Sequence, residues 1–166
     1  LGGAGLFGAL FHMITNALAK VVMFLTAGSV AQKYGSSRAE DVRGVIRTYP
    51  VTGVFLILAL FAGTGMFPFA TFHSELLILN AAVMSGHYVL AGTFVLCLII
   101  IFIGLARLVL GVVYGEPTEP VLLKKENVFM NIAIASAAVA LIGLGFWMPA
   151  GLEKVLHDAV VLVGTR

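Results

Sequence analysis

The stretch Gly63-Thr64-Gly65-Met66-Phe67-Pro68-Phe69-Ala70-Thr71 decides how this chain folds. Two glycines and a proline within six residues break any regular element. What makes the break unusual is its setting. Residues 48 to 74 carry no Asp, Glu, Lys or Arg, and residues 76 to 106 are equally free of charge. A helix candidate over 50–64 precedes the break, and a short apolar run over 74–85 follows it. At 1.5 Å per residue that second run reaches about 18 Å, roughly half a bilayer. The spacing predicts one discontinuous helix over 50–86, broken near 65–73. The alternative is two separate spans turning at Pro68. Irregular backbone at membrane depth needs protein or water to satisfy it, so such breaks tend to line cavities. Ser74 is the expected cap of the second half, which would put Glu75 at its dipole-positive N-terminus.

Working outward, three more charge-poor stretches read as spans, at about 5–32, 89–114 and 127–148, followed by an amphipathic tail over 149–166. Composition agrees with an all-α integral membrane class. Hydrophobic residues make up 60% and charged residues 11%, against about 25% charged in soluble domains. Four crossings put loops 33–47 and 115–126 on one side. These carry Lys33, Arg38, Arg43, Arg47, Lys124 and Lys125, while the other side has Lys154 and Arg166. The positive-inside rule makes the basic loops cytoplasmic and both ends outer, in a cell (cytoplasmic or inner) membrane. Two spans in the middle would divide the basic loops between opposite sides, which favours the broken helix.

A net charge of +2, without a basic stripe interleaved with aromatics, sets nucleic acid aside. The single cysteine, Cys97, excludes a disulfide framework and reads as a small buried hydrophobe. The chain begins Leu1-Gly2-Gly3-Ala4-Gly5 with neither Met nor a basic leader, and is expected to be a fragment of a longer polypeptide. No phosphate loop, metal-ligand pair or nucleophile with a base is present, so no catalytic site of its own and no cofactor or metal is expected in this chain.

Three charges fall inside apolar sequence: Lys20, Glu75 and Arg107. A charge at mid-membrane costs about 2.5–3.5 kcal/mol on insertion scales, and by default it marks an ion path. His12, Asn16 and Lys20 follow at four-residue steps and share a helix face, so they form a polar ladder able to pass or store a proton. Glu75 lies two residues from His73, a second plausible protonation site. Arg107 is close enough to Tyr114-Gly115 to extend toward the headgroups, which favours a structural over a relay role. His87 and Trp147 read as interfacial.

These residues also carry a resemblance. His12-Met13-Ile14-Thr15-Asn16-Ala17-Leu18-Ala19-Lys20, then Phe24-Leu25-Thr26-Ala27-Gly28-Ser29, resembles a motif of the antiporter-like subunits of complex I and its relatives. Tyr49-Pro50-Val51-Thr52 is similar to their helix-opening Met-Pro-x-Thr, and Gly65-Met66-Phe67-Pro68-Phe69 before Phe72-His73-Ser74-Glu75 to their Gly-x-Pro-Pro break. Gly115-Glu116-Pro117 and the segment from Met148-Pro149 lean toward the group 4 membrane-bound hydrogenases, such as hydrogenase 4 component F and formate hydrogenlyase. The resemblance implies the C-terminal part of a fourteen-helix inverted-repeat subunit. In it Lys20 is a relay lysine, His12 a relay histidine and Glu75 the terminal charge. It departs at Asn16, where many members have histidine, and at Phe67, which replaces a proline.

The implied function is proton translocation in a redox-driven respiratory complex, a membrane-bound hydrogenase or an NADH-quinone oxidoreductase. Its iron–sulfur, nickel–iron or quinone chemistry is expected only in partner subunits of a peripheral redox arm. The rivals are a multisubunit cation/proton antiporter carrying sodium, a non-transporting membrane scaffold, and the membrane half of an inorganic-carbon uptake system.

Overall fold

In a computed structural model, residues 2–117 and 125–164 are described, and among them every regular element is helical. The elements are α1 (Gly2–Tyr34), α2 (Val45–Thr48), α3 (Pro50–Gly63), α4 (Ala70–Met84), α5 (Tyr88–Tyr114), α6 (Val128–Phe146) and α7 (Ala150–Gly164). Helices α1, α5 and α6 are long and apolar enough to cross a membrane, while α3 and α4 are shorter apolar helices.

Contacts along α1 show how α3 and α4 are arranged. Gly8 packs against the backbone of Ile78 and Met23 against Gly63. His12 meets Ser74, and Lys33 meets Thr52. Descending α1 from residue 8 to residue 33 therefore retraces α4 and then α3 backwards. The two short helices are stacked end to end along one long antiparallel partner. Together they form one discontinuous crossing. At 1.5 Å per residue α1 spans about 50 Å, enough to face both halves.

The break is tighter than the expected 65–73. Helix α3 stops at Gly63, and α4 restarts at Ala70. Gly65 adopts a left-handed φ of +62°, and the amide of Met66 reaches back to the carbonyl of Phe61 at 3.0 Å, a helix-ending 6→1 bond. Phe69, extended, is the N-cap of α4 and gives no side-chain cap. Ser74 is therefore not the cap, and Glu75 lies in the second turn of α4 rather than at its N-terminus. The reason is that only residues 64–69 must leave helical geometry, and Ala70 onward meets no obstacle to it. The Thr71 hydroxyl donates to the Ala62 carbonyl at 2.9 Å and ties the halves together.

Helix α6 runs alongside α3 and ends at the break, where Gly145 abuts the Pro68 carbonyl and Phe146 meets Phe67 edge-on at 5.5 Å. The tail beyond it is a true helix, α7, which continues along the first part of α1: Val160 faces Gly3, and the His157 ring lies 4.8 Å from that of Phe7. The described residues of loops 33–47 and 115–126 do lie at one end of the bundle, where Arg43 contacts Gly115 and Gly44 contacts Pro117. Lys124 and Arg166, counted in the charge argument, lie outside the described residues. Cys97 is exposed rather than buried, because the buried residues of α5 lie near its two ends, at Ala91, Val112 and Val113. The main apolar cluster, around Phe11, Ala19, Ala62, Phe69, Ala70, Leu141 and Leu156, surrounds the break.

Candidate functional site

The break supplies the seat for Glu75. A β-carbon added to Gly65 would coincide with the Glu75 carboxylate, so the carboxylate rests directly on the Gly65 backbone. Only glycine satisfies both demands at 65, the left-handed φ and the space. Glu75 is half-buried, and among the described residues its carboxylate has neither an ion-pair nor a hydrogen-bond partner.

One residue away, on the neighbouring face of α4, Ser74 is fully buried against α1. Its hydroxyl is 2.9 Å from Nδ1 of His12, 3.1 Å from the Thr15 hydroxyl and 2.8 Å from the carbonyl of Thr71. A hydroxyl has one proton to give. When Ser74 donates to Thr71, Nδ1 of His12 must carry the proton and donate, which leaves Nε2 free to accept another. When Ser74 turns to donate to Nδ1, Nε2 carries the proton instead. The cluster therefore couples the tautomer of His12 to the first turn of α4, just past the break.

The rest of the ladder is progressively less covered. His12 and Asn16 are half-buried, whereas Lys20 is exposed on a face of α1 that no other part of the described chain covers. His73 is exposed, its ring edge-on to Phe11 at 5.8 Å. Arg107 is exposed on α5 without an ion pair among the described residues. The structure thus brings together His12, Ser74 and Thr15, and beside them seats Glu75 on Gly65, while Pro68 meets Gly145 of α6. It does not join Lys20, His73 or Arg107 to them.

A second polar centre was not apparent from sequence. The carboxylate of Glu126 accepts the amides of Val51 at 2.8 Å and Thr52 at 3.3 Å, the Thr52 hydroxyl at 2.6 Å, Lys33 at 3.0 Å and the Asn131 amide at 3.3 Å. Lys33 also donates to the Thr52 hydroxyl and lies 4.5 Å over the Tyr49 ring. Burial pushes the Glu126 carboxyl up, but the hydrogen bonds from Thr52, Lys33 and Asn131 more than offset this and lower it from 4.5 to about 2. The sequence signal was indirect. Pro50 opens α3 and the N-cap Tyr49 offers no side-chain oxygen, so the first amides of α3 need an acceptor from elsewhere.

Residues 2–101 match the family described as NADH:quinone oxidoreductase/Mrp antiporter, TM. The chain belongs to this family. Its curated relatives include the putative antiporter subunit mnhD2 of Staphylococcus aureus strain MRSA252. That protein is 27% identical over 96% of this chain and 32% of its own length. The same subunit of strain JH9 matches with the same identity and coverage. The chain thus spans about a third of the length of the curated relatives it matches, and family membership makes it an antiporter-like, multi-pass membrane chain.

Proposed function

We propose that this chain forms part of the proton path of an ion-translocating membrane subunit, with Glu75 and the His12–Ser74 pair exchanging a proton at the helix break. The observation that carries the reading is the partnerless Glu75 carboxylate on the Gly65 backbone, next to a buried Ser74 hydroxyl hydrogen-bonded to His12. An ionisable group held inside an apolar bundle without a neutralising partner is suited to changing its protonation state. Lys20, Asn16 and His73 extend the path toward segments of a longer polypeptide, which supply the cover that the Lys20 face lacks. Arg107 serves the headgroup layer.

For the driving reaction, the relatives named as antiporter subunits favour exchange of protons against another cation such as sodium. A second reading has the subunit in a redox-driven complex, with iron–sulfur, nickel–iron or quinone chemistry in partner subunits of a peripheral arm. The family description, which spans NADH:quinone oxidoreductases, and the hydrogenase-like closing motifs favour it. Both readings have the basic loops cytoplasmic, in a cell membrane.

The test uses the intact subunit in its native assembly, in everted vesicles. Glu75→Gln is expected to abolish proton movement without loss of assembly, and undiminished movement refutes the path. Sodium-dependent transport without an electron donor supports the first driving reaction, and strict dependence on a donor the second.

A further inference from the structure

The Glu126 centre lies at the opposite end of α3 from the break, yet its geometry reaches that break. Three observations connect them. First, the adjacent residues Glu126 and Asn127 satisfy the starts of two different helices. Glu126 Oε1 takes the first free amides of α3, while Asn127 Oδ1 takes the amides of Phe129 and Met130 in α6, at 3.1 and 3.3 Å. The starts of α3 and α6 are thereby held level. Second, α6 is a 19-residue helix whose far end is fixed against the break, since Gly145 touches the Pro68 carbonyl with no room for a side chain. At 1.5 Å per residue it is a strut of about 28 Å. Third, Lys33, bound to Glu126 Oε2 and Thr52, ties the last turn of α1 to the same point. About six helical turns back toward the start of α1, His12 meets Ser74 of the crossing. Helices α1, α3 and α6 are thus pinned near one end by a single carboxylate; α3 and α6 both end at the break, and the middle of α1 runs past it.

We propose that Glu126, with Lys33, is a positioning pair that sets the longitudinal register of the discontinuous crossing against α1, and so holds Ser74 opposite His12 and Glu75 at its working height without touching any of them. The inference rests on the reading that these residues carry the proton. The contact of α1 with α4 includes Gly8, which has no side chain to interlock with Leu77 and Ile78, beside one large buried side chain, Phe11. Half a helical turn of slip, about 2.7 Å, takes Ser74 out of hydrogen-bond reach of His12.

The test measures geometry and transport separately, in the full-length subunit within its complex. Spin labels are placed at Met13 on α1 and Leu76 on α4, both exposed beside the His12–Ser74 contact. A control pair goes on α5 at Val95 and Leu108. The background lacks reactive cysteines, with Cys97→Ala included. Glu126→Ala is expected to shift or broaden the 13–76 distance by a few ångströms, leave 95–108 unchanged and lower proton movement. Glu126→Gln keeps the acceptor for α3 but loses the charge facing Lys33, and is expected to be intermediate in both. An unaltered 13–76 distance in assembled Glu126→Ala overturns the proposal. If that variant does not assemble, Thr52→Val, which removes the hydroxyl bridging Lys33 and Glu126, is judged by the same two distances. Undiminished transport in Glu75→Gln refutes the proton-path reading instead, and the distance measurement still decides the positioning role.

Discussion

The carboxylate of Glu75 lies on the backbone of Gly65, so that the acid and the glycine that ends α3 occupy a single fitted site. This makes position 65 the most demanding glycine at the break. Gly65→Ala is expected to destabilise the protein by about 1–3 kcal/mol through its left-handed backbone. It should also displace Glu75 and reduce proton movement as far as Glu75→Gln does. Gly63→Ala is the contrast, because its added methyl meets the side chain of Met23, which can swing away. Vesicle transport and thermal unfolding of the two variants check the difference.

Ser74 is the shared hydroxyl between α1 and the break. Ser74→Ala leaves Nδ1 of His12 without its partner, while the Thr15 hydroxyl keeps its bond to the His12 carbonyl at 3.3 Å, and is expected to lower stability by about 1–3 kcal/mol. Transport should slow while assembly persists. Unchanged transport in that variant excludes the serine from the path.

At the end of α6, Gly145→Ala drives a methyl into the Pro68 carbonyl, which is backbone and cannot rotate aside. Overpacking of this kind costs about 1–3 kcal/mol. Gly143→Ala, whose methyl meets open space, is expected to be neutral or slightly stabilising. Melting temperatures of the two variants in detergent give the comparison.

The Glu126 carboxyl predicts an acid response. Its folded value is lowered to about 2 from 4.5. The stabilisation it provides is therefore complete above about pH 5 and is lost as pH falls from 4.5 toward 2. Over that window the unfolding midpoint of the native protein should drop more steeply than that of Glu126→Gln, which has no carboxyl there to protonate. Parallel curves would show that the carboxyl contributes nothing.

Lys20 faces away from every helix of the described chain. Lys20→Ala in the intact assembly is expected to leave the bundle described here unchanged and to stop proton uptake. Undiminished uptake removes Lys20 from the path.

The sequence made the outline of the fold legible because its strongest signals are local. Charge-free runs of membrane length are read directly from composition, and so is a glycine–proline break inside one of them. The split charge of the loops added one non-local deduction, the shared end of loops 33–47 and 115–126, and for their described residues the contacts of Gly44 and Gly115 agree with it. The capping of α4 was misjudged because Ser74 has the chemistry of a cap, whereas the chain resumes helical geometry four residues earlier. Its hydroxyl is used sideways, toward His12. The role of Glu126 could not be read because its partners at 33, 51 and 52 are far away in sequence, and helical periodicity says nothing about such pairs. The exposure of Lys20 was equally hidden, since spacing fixes a helix face but not what covers it.

Connecting segments usually tolerate changes of length. The pair Glu126–Asn127 is an exception. Glu126 holds the first amides of α3 and Asn127 those of α6, and they do so from neighbouring positions on the chain. One residue inserted between them would lift α6 relative to α3 and drive Gly145 out of step with Pro68, so a single codon in a loop could disable a break an entire helix away.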